Sequence, residues 1–171
     1  MDLDTALAAL PADAPAPINV DCLVRDISAR ATVSRASEPE GPGLVLSNGL
    51  LRRVIRLAPD AATVALDNLL TGASLLRAVS PEARISLDGA ACDVGGLLGQ
   101  PEFAYLRPEW LNDMAADPAA FHCIGFDHGP TQAPFDWKRK RHSTGGAWPA
   151  PGVRLRLHFV LPKAHSVSAR L

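Results

Sequence analysis

The sequence predicts a mainly β protein built from antiparallel strands, with one short helix near residues 108–116. Three observations carry that expectation. Residues 43–94 hold apolar runs broken by Asn48-Gly49, Thr71-Gly72 and Asp88-Gly89, pairs that admit the backbone of tight turns. Pro (15) and Gly (13) together favour turns and loops over long helices. Residues 153–160 alternate, with Val153, Leu155, Leu157 and Phe159 on one face, the period of a strand.

Each element follows in order. Residues 1–17 are rich in Ala, Asp and Pro and read as an N-terminal extension and linker before one domain over 18–171. Asp4 is placed to cap a short helix over 5–10 that Pro11 stops. Residues 18–36 alternate loosely, as one or two strands broken near Arg25-Asp26. The arms 44–47 and 50–57 flank Asn48-Gly49, a pair suited to the positive φ angles of a type I′ turn, so a hairpin is expected. In the second arm Leu51, Arg53, Ile55 and Leu57 share one face, and Leu50, Arg52, Val54 and Arg56 the other. Both faces mix apolar and basic residues, so the core face is not assigned. Residues 62–67 continue as a strand, and 74–79 read as a strand or a helical turn. Residues 84–87 and 90–94 form a second hairpin around Asp88-Gly89. In the helix over 108–116, Pro108 suits the first turn, Glu109 the positive end and Pro118 the stop. Residues 119–126 read as a strand and 127–152 as a long loop.

Composition excludes several classes. A chain of 171 residues that is 47% hydrophobic suits one globular domain with a core. A net charge of −1 provides no global field toward nucleic acid or an anionic membrane. Cys22, Cys92 and Cys123 are odd in number and lack metal-type spacing, so free buried thiols are expected. The acidic N-terminus lacks a signal peptide's basic region, and no apolar run reaches the roughly 20 residues of a membrane span. A cytoplasmic location with no membrane partner is the expectation.

No nucleotide, hydrolase or zinc-protease signature is present, and neither a cofactor nor a metal is expected. His122, Cys123, Asp127 and His128 are too loosely spaced for a zinc site. Among acids near the aromatic loop, Asp127, Asp136, Glu102 and Glu109, no pair is singled out for glycoside chemistry. Gly95-Gly96 and Gly99 suit either close approach of a ligand to the backbone or a plain loop. The dense basic run 138–142 lies between Trp137 and Trp148. An indole face matches the C–H face of a sugar, and Arg139 beside it can donate to hydroxyls. The same run also reads as a solvated charged loop pinned by its tryptophans, or as a phosphate contact, which the net charge disfavours.

Three segments then carry a resemblance. They are Leu46-Ser-Asn-Gly-Leu-Leu-Arg-Arg-Val-Ile-Arg-Leu57, Ala62-Thr-Val-Ala-Leu-Asp-Asn-Leu-Leu-Thr-Gly72 and Pro81-Glu-Ala-Arg-Ile-Ser-Leu-Asp-Gly89. Tyr105-Leu-Arg-Pro-Glu-Trp110 and Pro134-Phe-Asp-Trp-Lys-Arg-Lys-Arg141 extend the pattern. Together they resemble the N-terminal β-sandwich of bacterial α-galactosidase-like glycoside hydrolases, a domain of the galactose-mutarotase-like supersandwich group. The resemblance implies an antiparallel, supersandwich-like β-sandwich, here incomplete. It also implies that the catalytic carboxylates come from a separate barrel, so this chain carries no catalytic residue and the parent protein is a glycoside hydrolase of carbohydrate metabolism. The implied partners are a carbohydrate, met through Trp137, Trp148 and Arg139, and the catalytic domain of the same polypeptide. A free-standing β-sandwich that binds a protein or a sugar is the other reading.

Overall fold

The computed structural model describes residues 2–14, 21, 24, 30–138, 140, 142 and 146–161. Its centre is an antiparallel five-stranded sheet in sequential order: β1 (Thr32–Arg35), β2 (Gly43–Ser47), β3 (Leu51–Arg56), β4 (Ala62–Asn68) and β5 (Ala73–Ser74). Three antiparallel pairs accompany it: β6 (Ala83–Leu87) with β7 (Ala90–Val94), β8 (Leu97–Leu98) with β9 (Ala115–Ala116), and β10 (His122–Pro130) with β11 (Val153–Val160). The described residues are mainly β and sandwich-like, without a closed barrel. No helix among them is long and apolar enough to cross a membrane.

The register explains why β3 shows no clean apolar face. Val45 pairs with Val54, and both sit in a core with Val64, Val79, Leu97, Leu111 and Met114. Leu44 pairs with Ile55 on the opposite face, in a second core with Leu7, Leu10, Val33 and Leu57. Leu155, Leu157 and Phe159 of β11 and Phe126 of β10 close that second core from above. The sheet is therefore covered on both sides, and alternation cannot mark a solvent face that is lacking.

The arginines of β3 fit this environment because each is paired. Arg52 Nε lies 2.8 Å from Asp13 and its Nη1 2.8 Å from Glu40. Burial alone would lower the Arg52 pKa, but the hydrogen bonds and charges of Glu40 and Asp13 outweigh it and hold the pKa above its ordinary value. Buried Arg56 donates to Ala58 O at 2.7 Å and to Asn112 Oδ1 at 2.9 Å.

Several expectations are corrected. The first hairpin forms, but Asn48 lacks the positive φ of a type I′ turn, and only Gly49 has it (80°). The Asn48 side chain instead accepts from Leu50 N and Leu51 N, so it closes the turn from outside. At Asp88-Gly89 both φ angles are positive (50° and 83°), as the second hairpin requires. The leading helix α1 (Leu3–Ala8) is capped by Asp2 rather than Asp4, through a bond from Leu3 N of 2.8 Å. The helix expected over 108–116 is a short 3-10 helix, Pro108–Asn112. Pairing of Ala115–Ala116 with β8 takes the residues that would have continued it. Only Ala73–Ser74 is strand in the stretch 74–79 and its approach, and β10 runs on to Pro130. Of the strands expected over 18–36, β1 covers Thr32–Arg35. Residues 15–20, 22–23 and 25–29, with Cys22, lie outside the described residues.

The segment expected as an extension is joined to the body. Leu7 and Leu10 are buried in the second core, and Asp13 accepts from Ser34 and Arg52.

Candidate functional site

The stretch 131–152 springs from the adjoining ends of β10 and β11, where Pro130 pairs with Val153. Thr131 Oγ1 donates to Ala150 O at 2.6 Å and draws its two ends together. Inside this neck three aromatic rings meet. Trp148 lies between Phe135 (centroids 5.3 Å apart, planes at 43°) and Trp137 (5.5 Å, 48°). Such tilted contacts are the favoured arrangement of ring quadrupoles. The Trp148 Nε1–H donates to Phe135 O at 3.1 Å, which fixes the middle indole.

The cluster is not a buried core. Phe135, Trp137 and Trp148 keep 59%, 43% and 41% of their surface exposed. Trp137 also lines an open hollow of about 480 Å³ with Asp136, Lys138 and Lys140, among the described residues. The hollow thus combines an indole, one acceptor-only carboxylate and two donor-only ammonium groups. That set suits a ligand with an apolar face and a polar rim. Trp137 and Trp148, eleven positions apart, are brought into contact here, whereas Arg139 lies outside the described residues.

The other singled-out residues are engaged elsewhere. His122 Nδ1 lies 2.8 Å from Asp60 Oδ2, and Cys123 N donates to Asp60 Oδ1 at 2.8 Å. Asp127 accepts from Arg154 Nη2 at 2.9 Å and lies 3.0 Å from His158 Nε2. The Arg154 hydrogen bond holds the Asp127 carboxyl below the usual range; burial opposes it, and the His158 hydrogen bond and the charges of Arg154 and Arg156 add to the lowering. Glu102 accepts from Phe103 N and Ala104 N. Gly95 and Gly96 do permit close approach, but of the protein's own chain: added side chains would meet Ala61 O and Pro81. Cys92 and Cys123 are free thiols.

Sequence reasoning missed a second aromatic group and the buried polar anchors. Tyr105 and Trp110 rings lie 5.4 Å apart, with the Arg107 guanidinium 5.5 and 5.9 Å from their centroids. The Tyr-x-Arg-x-x-Trp spacing is its only local signal. Its cation already sits over both rings, so it offers a ligand less than Trp137 does. Gln100 donates to Arg77 O and Tyr105 O and accepts from Val79 N, tying the 77–105 connection together without any motif.

Comparison with family models, curated proteins and solved structures returned no match for this chain. Fold and site define a mainly β, sandwich-like protein with an exposed aromatic and basic hollow.

Proposed function

We propose that this chain is a non-catalytic β-sandwich module that accompanies a glycoside hydrolase domain and contacts carbohydrate at the hollow beside Trp137. One observation carries the carbohydrate part: Trp137, braced by Trp148, stands exposed beside Asp136 and Lys138. A pyranose stacks its C–H face on an indole while neighbouring carboxylate and ammonium groups meet its hydroxyls. The accompanying catalytic domain rests on the resemblance of residues 46–57, 62–72 and 81–89 to the leading sandwich of α-galactosidase-like enzymes.

Calorimetric titration with galactose-containing oligosaccharides tests the reading. Trp137→Ala is expected to weaken binding roughly tenfold, the scale of one lost aromatic stacking contact. Equal affinity in the variant and the parent would remove the site from consideration. A free-standing module for a protein partner is the second reading. It is favoured by the β6–β7 hairpin, where Ile85 and Leu87 are uncovered.

A further inference from the structure

We propose that the hollow beside Trp137 selects a negatively charged sugar, either a uronate or a sulfated residue of a glycan. The inference rests on the carbohydrate reading above and adds the ligand's charge. Among the described residues, Lys138 and Lys140 both line the hollow, against the single acid Asp136. The described lining side chains therefore carry one net positive charge, in a protein whose overall charge is −1.

Ammonium groups only donate hydrogen bonds, and a neutral sugar brings acceptors but no charge to meet the one they carry in excess of Asp136. A carboxylate or sulfate ester supplies both acceptors and charge. Lysine reaches such groups as a mobile point charge, which tolerates either geometry, whereas a fixed guanidinium fork would favour one. A bare anion would have no use for the indole, and the ring of an acidic sugar does. Asp136 then has a task that an anion-only site lacks: it accepts from the hydroxyls of the ligand's uncharged edge.

A single strand of RNA is the competing macromolecule, since lysines and an indole also suit phosphates and bases. The net charge of −1 gives a long polyanion no extended field. The observations favour the glycan.

The test titrates the full chain with four matched probes: a neutral galactan tetrasaccharide, a galacturonan tetrasaccharide, an O-sulfated galactan tetrasaccharide and an oligouridylate. At low salt, at least one charged glycan is expected to bind roughly three- to tenfold tighter than the neutral one, the scale of exposed charge contacts. The charged arm that wins identifies the group. Lys138→Gln with Lys140→Gln should erase the preference, bringing the charged glycans to the affinity of the neutral one, and Trp137→Ala should weaken all glycans alike. All these side chains are exposed, and matched melting temperatures will show that the fold is kept. Equal binding of neutral and charged glycans overturns the charge preference and leaves the carbohydrate reading standing. Binding of no glycan overturns both. Tighter binding of the oligouridylate than of every glycan overturns the proposal in favour of nucleic acid.

Discussion

Asp60, 2% exposed, uses both carboxylate oxygens at the foot of β4. Oδ1 accepts from Ala61 N at 2.7 Å and Cys123 N at 2.8 Å, and Oδ2 meets His122 Nδ1 at 2.8 Å. It therefore fastens β10 to the central sheet. Asp60→Ala leaves two backbone N–H groups without their acceptor and is expected to cost about 2–4 kcal/mol in urea unfolding. A loss below about 0.5 kcal/mol would show that the clamp is dispensable. Its neighbour Cys123 has its thiol pushed up by burial; a backbone hydrogen bond of Gly125 opposes this and the Asp60 charge adds to it. Alkylation followed by peptide mapping at mildly alkaline pH should find Cys123 modified more slowly than an unhindered cysteine. Rapid modification in the native protein would contradict that. Neither role was legible in the sequence, because Asp60 stands 62 positions before His122 and no local pattern links them. The tryptophans were easier to single out, since two indoles flank a dense basic run.

Among elements, the β10–β11 hairpin bears a titrating cluster. The Arg154 bond depresses the Asp127 pKa, so its folded value lies below its unfolded one. The resulting stability is full above the ordinary carboxylate range near about 4 and is lost as pH falls through the lower folded value. The melting-temperature gap between the parent and Asp127→Asn should thus be constant at neutral pH and close on acidification. A gap that persists unchanged into strong acid would refute the assignment. The turns make a second test at this scale. Gly95 has φ +59°, and a side chain there would collide with Ala61 O, so Gly95→Ala should cost about 2–4 kcal/mol. Gly89 has φ +83° but open space around it, so Gly89→Ala should cost only the backbone strain of about 1–2 kcal/mol. Similar losses at both sites would mean that packing is not the difference. The Asp88-Gly89 hairpin could be read from sequence because its two turn residues both need positive φ. Asn48 deceived because its side chain, not its backbone, makes the turn. The helix at 108 was overextended because nothing in its pattern reveals that Ala115 and Ala116 are claimed by β8.

For the molecule as a whole, the central sheet divides two cores, and the 131–152 stretch stands at one end of the hairpin that covers the second. Mainly β architecture was legible from turn pairs and alternation. The buried faces of β3 were not, because each arginine on it is satisfied by partners distant in sequence, Asp13, Glu40 and Asn112 among them. The central claim remains that Trp137 and Trp148 form a carbohydrate contact. It is tested most directly by indole N–H signals in a nitrogen-correlated NMR titration with galactose-containing oligosaccharides. Three tryptophans give three such signals. The account predicts saturable shifts of the Trp137 and Trp148 signals, with Trp110 unmoved. Shifts confined to Trp110, or none for any indole at saturating sugar, would contradict it.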